Sequence, residues 1–314
     1  MLTNAKVTGH YRYRDTFQIL PAAQSSQQPP YIEAHHPCIL ELKYNFEYDA
    51  SRTLIDTSST PEWLQEKDSE NKLVNEIVKL IGLFSFSKFI QYSQEEYGWF
   101  THYDDKDQAS LFWGQKSYFD DNHDKMLENF TKHNLNKAEE IDFLKFYSFP
   151  ARFSGAEFSI PNILTHLFDK YYSLSNDARV SFFRAATLFN NAIEIKKISP
   201  SISFSCFISC IETLVEYIHK DIRIEKCEGC GQLKYSVTKK FIEFMKKYNS
   251  DSKELIKFYN AVYKKRSKIL HAGDLFSGED IPLNWEEKDW EEFSLRTNIE
   301  RTCRIALINW LLES

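Results

Sequence analysis

Hydrophobic and polar residues alternate in the N-terminal half of the chain, most clearly over residues 40–48. The apolar positions of this segment are Leu40, Leu42, Tyr44, Phe46 and Tyr48. A period of two is typical of a strand that buries one face. Two aromatic-rich segments, 89–100 and 111–119, predict further strands, and Thr60 followed by Pro61 is typical of a helix start. The N-terminal half is therefore predicted to mix strands and helix.

From about residue 161 the apolar residues recur every three or four positions, which is the period of an amphipathic helix. The predicted helices cover 161–173, 177–195, 204–218, 238–248, 252–272 and 289–312. Ser199 or Ser201 is suited to cap the third of these helices, and Gly273 is suited to end the fifth. Helices joined by short turns form a bundle. We therefore predict an α+β domain over 1–155, followed by an all-α helical bundle over 156–314.

The composition is that of a folded protein with two domains. The chain has 314 residues, of which 42% are hydrophobic and 27% charged, so each half can bury a core of its own. The first residues lack the apolar segment of a signal peptide, and no uncharged apolar run approaches the ~18 residues of a membrane span. Six cysteines are too few for a disulfide scaffold. These features predict a cytoplasmic protein with no membrane partner.

Charge is distributed unevenly along the chain. The net charge is -6, which taken alone argues against a nucleic-acid partner. Residues 220–268, however, hold 14 Lys or Arg against six Asp or Glu, whereas residues 274–314 hold four basic against ten acidic residues. A basic block in an acidic chain is typical of a surface that binds nucleic acid, although a solvated lysine-rich helix face has the same composition. Charge alone leaves both interpretations open.

The predicted helix 252–272 carries an arginine where its period calls for a hydrophobic residue. The apolar stripe of this helix is formed by Leu255, Tyr259, Val262 and Ile269. Arg266 interrupts that stripe, and an unpaired buried guanidinium is costly, so it needs a partner, a cleft or a second chain. His271 follows in the last turn, about 140° around a regular helix from Arg266. One helix therefore does not point both side chains at one spot, whereas two crossing copies could.

The segment that contains these two residues resembles the HEPN superfamily of ribonucleases. Arg266, the small polar Ser267, three further residues and then His271 match the signature of that superfamily, at the end of a helix in a predicted bundle. The residue pattern over 258–273 and over 207–214 resembles the Apea-like branch in particular. Ser267 stands where many members carry Asn or Asp. The resemblance covers about half of the chain, from roughly residue 161 to the C-terminus.

The resemblance implies a metal-independent endoribonuclease that needs no cofactor. In such a site His271 supplies acid and base catalysis, because its ordinary pKa lies near neutrality. Arg266 holds the charged oxygens of the phosphorane by a bidentate contact. Ser267 occupies the second motif position and shares a face with His271, and Glu212 lies close to the Arg/His pair. Cleavage would leave a 2′,3′-cyclic phosphate.

The resemblance also implies partners. RNA is the expected substrate, with a structured RNA such as tRNA as the expected target, and a homodimer is the expected assembly. Proteins of this kind are commonly toxins or abortive-infection factors of phage defence, so a phage component or an antitoxin is the expected trigger, and the N-terminal domain is the expected recognition or sensor module. The lysines expected to contact the RNA backbone are Lys239, Lys240, Lys264, Lys265 and Lys268.

Several alternatives stay open on the sequence. The bundle would serve as an inactive module for RNA binding, protein binding or dimerisation if the Arg266–His271 pair only joined two chains. Glu212 either orients Arg266 or forms a salt bridge at the edge of the apolar face. Cys227 and Cys230, separated by two residues, resemble one knuckle of a zinc site. No second pair follows them, which favours a reduced turn, so we predict no bound metal.

Overall fold

The structure of the chain is a computed structural model that divides into two compact units. It describes residues 1–22, 36–43, 46–49, 51, 60–90, 97–103, 108–115, 129–148, 157–220, 237–279 and 286–314. Unit 1 comprises Met1–Asp142 and Ala151–Asn162, and unit 2 comprises Phe143–Pro150 and Ile163–Ser314. The chain therefore crosses between the units three times, where the sequence predicted one boundary after residue 155.

Unit 1 combines antiparallel strands with one long helix. Its elements are β1 (Leu2–Thr3), β2 (Tyr11–Tyr13), β3 (Phe17–Pro21), β4 (His36–Leu42), α1 (Glu62–Phe84), β5 (Phe89–Ile90), β6 (Tyr97–Tyr103), β7 (Ala109–Gln115), β8 (Glu139–Ile141) and β9 (Ser159–Pro161). The order β2-β3-β4-β1-β5 forms one sheet, β6 and β7 form an antiparallel pair, and β8 pairs with β9 in parallel. The N-terminal half is thus α+β, as the sequence predicted.

The strand predicted over residues 40–48 begins and ends earlier than its alternation suggested. In β4, Leu42 pairs with Phe17, the first residue of β3, and the next amide, of Lys43, donates to Thr16 in the turn before β3. Residues 46–49 form no strand, because the partner strand β3 begins at Phe17 and offers no residue to pair beyond Leu42. Pro37 belongs to β4, opposite Leu2, although proline in a sheet is usually found on edge strands or at strand starts.

Unit 2 is a helical bundle, which confirms this part of the predicted fold class. Its helices are α2 (Phe143–Ser148), α3 (Leu164–Ser173), α4 (Asn176–Ile195), α5 (Pro200–His219), α6 (Val237–Tyr248), α7 (Lys253–Ala272) and α8 (Glu287–Glu313). Ser199 caps α5 by accepting from the amide of Ile202, and Ser252 caps α7 by accepting from the amide of Leu255. Gly273 ends α7 in the left-handed conformation, with a φ of 65°.

The central helix of unit 2 is α5, which packs against α4, α6, α7 and α8. Among the described helices it alone has the length and composition to cross a membrane, with a mean hydropathy of 1.4. More than half of it is buried inside the bundle, so the same apolar surface is explained by its place in the core. Phe207, Ile211 and Leu214 carry that face, and Glu212 stands at its border.

Candidate active site

Glu212 and Arg266 meet between α5 and α7. Nη2 of Arg266 donates a hydrogen bond of 2.7 Å to Oε2 of Glu212, and the two side chains keep only 18% and 19% of their surface exposed. Arg266 lies on the inner side of α7 because it follows Val262 by one turn and precedes Ile269 by nearly another, and both of these residues are buried. The arginine that interrupts the apolar stripe therefore has a carboxylate partner, as a half-buried guanidinium requires.

Tyr263 binds the other oxygen of the same carboxylate. Its hydroxyl donates to Oε1 of Glu212 at 2.9 Å, and its ring centroid lies 5.8 Å from the guanidinium carbon of Arg266, within the range of a cation–π contact. Phe241 of α6 packs on Tyr263 with ring centroids 5.1 Å apart. Burial and the neighbouring Glu212 carboxylate raise the pKa of Tyr263 to about 12. The phenol therefore keeps its proton, and its role as a donor, at neutral pH.

Glu212 engages only part of the Arg266 guanidinium. A guanidinium carries five N–H donors in one plane, and one of them is bound to the carboxylate. The Nε–H is shielded from solvent and has no acceptor among the residues that the structure describes. A buried donor without an acceptor is costly unless a ligand satisfies it. Arg266 is therefore held at one edge and retains donors for an anion.

His271 lies on the solvent side of the last turn of α7. It is exposed, whereas Ser267, one turn earlier on the same side, is half-buried. Five residues separate His271 from Arg266, so on a regular helix their side chains diverge by about 140° and are about 7.5 Å apart along the axis. The structure thus brings Glu212 to Arg266, and it leaves His271 on a different face of the same helix.

Four of the five lysines predicted to contact RNA lie at the surface of unit 2. Lys264 and Lys268 are exposed one turn apart on α7, on the side that also carries His271. On α6, Lys239 is exposed and Lys240 is partly exposed. These four ammonium groups are accessible to a phosphate chain, and two of them share the helix face of the motif histidine.

Lys265 is different, because its ammonium group is buried in an ion pair. Its Nζ lies 2.8 Å from Oε1 of Glu292 on α8 and donates to the carbonyl of Leu275 at 3.0 Å. Lys265 is 8% exposed and Glu292 is 6% exposed. The sequence placed Lys265 among the lysines that contact RNA because it belongs to the basic block. The structure contradicts that assignment, since the ammonium group is turned towards α8 and donates to Asp274, Leu275 and Glu292.

The Lys265–Glu292 pair holds in place the chain segment that follows α7. Burial acts to raise the pKa of Glu292, but the hydrogen bonds from Lys265 and from the amide of Ser277 outweigh it and hold the pKa below its usual range. The amide of Phe276 donates to the hydroxyl of Ser201 at the start of α5. Directly after Gly273, therefore, the chain is tied to both α8 and α5, which immobilises the end of α7 that bears His271.

Two residues of this region were missing from the predicted site. Tyr263 precedes Arg266 by three residues, so the spacing places the two on neighbouring positions of one helix surface, and that signal was available in the sequence. Glu292 lies on another helix, and no local pattern distinguishes it from the other acidic residues of α8. Its role follows only from the packing of α8 against α7.

The cysteines form no metal-binding cluster in the described part of the chain. There, no three His, Cys, Asp or Glu side chains are grouped so that they could hold a metal ion. Cys227 and Cys230, the zinc-knuckle candidates, lie outside the described residues. Cys210 and Cys303 are free, buried thiols, and burial raises the pKa of Cys210 well above its usual value, as expected of core residues.

Comparison of the chain with protein-family models, with curated proteins and with solved structures finds no match. The resemblance described in the sequence analysis therefore stays a prediction from the sequence.

Proposed function

We propose that the chain is an endoribonuclease of the HEPN type, similar to the Apea-like branch, that cleaves RNA without a metal ion. The observation that carries the proposal is the ion pair between Glu212 and Arg266, on the helix whose last turn exposes His271. The resemblance predicts a glutamate beside the motif arginine. The 2.7 Å contact supports the interpretation that Glu212 orients Arg266.

The chemistry follows from the two motif side chains. His271 takes the proton of an RNA 2′-hydroxyl, the 2′-oxygen bonds to the adjacent phosphorus, and the bond from phosphorus to the 5′-oxygen breaks. The leaving 5′-oxygen receives a proton, so the products carry a 2′,3′-cyclic phosphate and a 5′-hydroxyl. Arg266 stabilises the additional negative charge of the phosphorane, because its remaining N–H donors fit two phosphate oxygens. Ser267, on the His271 side of α7, is the third motif residue in this scheme.

Two copies of the chain complete the site in this proposal. Within one chain His271 and Arg266 diverge by about 140°, so a single phosphate does not contact both side chains of one helix. A symmetric pair of α7 helices would bring the arginine of one protomer towards the histidine of the other, and it would supply one histidine as base and one as acid. A homodimer is therefore part of the proposal.

The exposed lysines provide the electrostatic contacts to RNA. Lys264 precedes the motif and Lys268 lies within it, both on the face of His271, and Lys239 and Lys240 extend the positive charge onto α6. Such contacts hold the phosphate chain without reading its sequence. Unit 1 is proposed as the sensor of a cytoplasmic toxin or phage-defence effector, with tRNA as the first RNA to test and a phage component or an antitoxin as the trigger.

A second candidate function is a dimerisation or binding module that lacks catalysis. Within one chain the side chains of His271 and Arg266 point in different directions. If the two chains of a dimer do not cross at α7, no common site forms, and this second function is favoured. Such a module would bind RNA or protein through the same lysines, and its RNA affinity would fall steeply with salt. It would release no product.

The test is incubation of the purified full-length protein with total RNA in the presence of EDTA, followed by mapping of the cleavage ends. We expect 2′,3′-cyclic phosphate ends from the wild type and none from His271→Ala or Arg266→Ala. The matched control is His166→Ala, which removes an exposed histidine of α3 and should cleave as the wild type does. Cleavage that persists in His271→Ala would refute the proposal, and salt-sensitive RNA binding without product would favour the second function.

A further inference from the structure

We infer that Tyr263 is a positioning residue of this site, which holds the Glu212 carboxylate so that Arg266 presents its remaining donors to the RNA phosphate. This inference rests on the proposed function. It concerns a residue that lies outside the Arg/Ser/His motif and contacts both members of the ion pair.

Each carboxylate oxygen of Glu212 accepts a hydrogen bond from one side chain among the described residues. Oε1 accepts the Tyr263 hydroxyl at 2.9 Å, and Oε2 accepts Nη2 of Arg266 at 2.7 Å. A carboxylate that is bound at one oxygen alone can rotate about its last side-chain torsion, which is broad and weakly restrained. Donors at both oxygens fix that rotation. Because Tyr263 and Arg266 are three residues apart on one helix, a single rigid element supplies both donors.

The tyrosine is itself held in place. Its ring packs against Phe241, with centroids 5.1 Å apart, and the side chain is partly buried between α6 and α7. The raised pKa of the phenol, about 12, keeps it a hydrogen-bond donor over the whole range in which a histidine can act. The hydrogen bond from Tyr263 to Glu212 therefore persists during the proton transfers that the proposed reaction requires.

Fixing Glu212 determines how Arg266 is used. The guanidinium carries its donors in one plane, and Glu212 engages Nη2 while the Nε–H has no acceptor in the described residues. If the carboxylate turned, it would draw the guanidinium with it and misalign the donors that meet the phosphorane. Loss of such an alignment lowers the rate of the chemical step more than it lowers substrate affinity.

The first experiment compares two Tyr→Phe variants of the full-length protein. Tyr263→Phe keeps the ring and removes the hydroxyl. We expect kcat for RNA cleavage to fall about tenfold with KM changed by less than about twofold, since a lost transition-state contact of this kind lowers kcat and kcat/KM together. The matched control is Tyr259→Phe, one turn earlier on α7, whose hydroxyl donates to the carbonyl of Ser250 at 3.1 Å, whereas the donors to Glu212 in the described residues are Tyr263 and Arg266. That variant should retain wild-type kinetics.

A double-mutant cycle tests whether Tyr263 acts through Glu212. In a Glu212→Gln background, the further change Tyr263→Phe should lower kcat by less than about twofold, because the positioned carboxylate is already lost. Three kinetic results would overturn the inference. They are wild-type kcat in Tyr263→Phe, an equal loss in Tyr259→Phe, and a full tenfold loss from Tyr263→Phe in the Glu212→Gln background.

A measurement that needs no RNA separates failure of this inference from failure of the proposed function. The Nε–H of Arg266 can be followed by NMR in protein with isotope-labelled arginine, with Arg266→Lys to identify the signal. Its exchange with water should become about tenfold faster in Tyr263→Phe and remain unchanged in Tyr259→Phe, as expected when a positioned group gains local freedom. If the wild type cuts no RNA, the proposed function fails, and this measurement still decides the role of Tyr263. Equal exchange in the wild type and Tyr263→Phe would overturn that role.

Discussion

Oε2 of Glu212 and Nη2 of Arg266 lie 2.7 Å apart, and this contact joins the central helix α5 to the last turns of α7. It gives the arginine that interrupts an apolar helix face a partner of opposite charge. The same contact leaves the Nε–H of Arg266 without an acceptor in the described residues. In a purely structural salt bridge every donor of the arginine would be expected to have an acceptor. Arg266 is instead bound to Glu212 at one nitrogen and keeps a donor that could bind a ligand.

Glu212→Gln tests what this anchor contributes. The variant keeps a side chain of the same shape but removes its charge, so Arg266 loses its ion pair, and cleavage should fall about tenfold through kcat. The free energy of unfolding should fall by about 1 kcal/mol, because the pair is largely but not fully buried. Cleavage assays and urea unfolding measure the two effects. Glu216→Gln, one turn further along α5 at an exposed position, should change neither quantity.

The exposed lysines of α7 should determine how RNA affinity depends on salt. Lys264→Ala or Lys268→Ala removes one phosphate contact, so the slope of log K against log salt concentration should decrease by about 0.7 to 0.9. RNA binding by the inactive His271→Ala variant, titrated at several salt concentrations, gives that slope. Lys253→Ala serves as the control, because Lys253 is exposed at the other end of α7, about 20 Å or more from the motif by the rise per residue. An unchanged slope in both test variants would contradict the proposed RNA contacts.

Gly273 should contribute to stability through its backbone conformation alone. It ends α7 with a φ of 65°, and a Cβ added there would meet no atom within 4 Å. Gly273→Ala should therefore cost about 1 kcal/mol in the free energy of unfolding, because an L-residue is strained in the left-handed region even where space is free. Gly273→Asn should cost less, since asparagine tolerates that region. Equal stability of the wild type and both variants in urea unfolding would contradict this prediction. It would show that the backbone at residue 273 changes its conformation without cost in the variants.

Local sequence patterns predicted the helices α3 to α8 of unit 2 closely, because the apolar period and the end signals of a helix are local; the short helix α2 was not predicted. The capping serines Ser199 and Ser252 and the terminal Gly273 are local features, and the observed helices α5 and α7 begin and end at them. The pairing of Glu212 with Arg266 was left open between two interpretations. An arginine on an apolar helix face needs a partner of opposite charge. Which residue is that partner depends on how α5 and α7, which are far apart in sequence, pack against each other.

Unit 1 was harder to predict because strand ends depend on a partner strand. The alternation over residues 40–48 continues past Leu42, yet the strand stops opposite Phe17, the first residue of β3. Lys265 shows the corresponding limit for charge. Its neighbour Lys264 is exposed while Lys265 is buried against Glu292, although both belong to the same basic run. The composition of the chain identifies the basic block. Which of its lysines is buried, namely Lys265, follows only from the packing of α8 against α7.

The phenol of Tyr263 should report the charge of Glu212 directly. Burial and the carboxylate raise its pKa to about 12, so removal of the charge in Glu212→Gln should lower that pKa towards the usual value of about 10. Burial remains, so the pKa should stay above the usual value. NMR of isotope-labelled tyrosine, with Tyr263→Phe to assign the signal, measures the shift. A pKa that does not fall in Glu212→Gln would mean that the hydroxyl and the carboxylate do not interact in solution.

Glu292 should make the stability of the helical unit depend on acid. Its pKa is held below the usual range in the folded protein because, although burial opposes it, the hydrogen bonds from Lys265 and Ser277 favour the charged form. A carboxylate with a lowered folded pKa stabilises the protein at pH values above its unfolded pKa of about 4.3, and that contribution is lost as the pH falls through the folded value.

Glu292→Gln removes this titration while keeping the shape of the side chain. Near neutral pH the variant should be less stable than the wild type by about 2 kcal/mol, because Lys265 remains buried with a weaker partner, the Asp274 carboxylate at 3.4 Å. As the pH falls well below 4.3, the wild-type carboxylate gains a proton and the difference in unfolding free energy should shrink towards zero. Urea unfolding followed by circular dichroism at neutral and acid pH measures this difference, with the exposed Glu291→Gln as the control. A gap that stays constant with pH would show that Glu292 has the same pKa in the folded and the unfolded protein, and the ion pair with Lys265 would then not favour the charged form of Glu292.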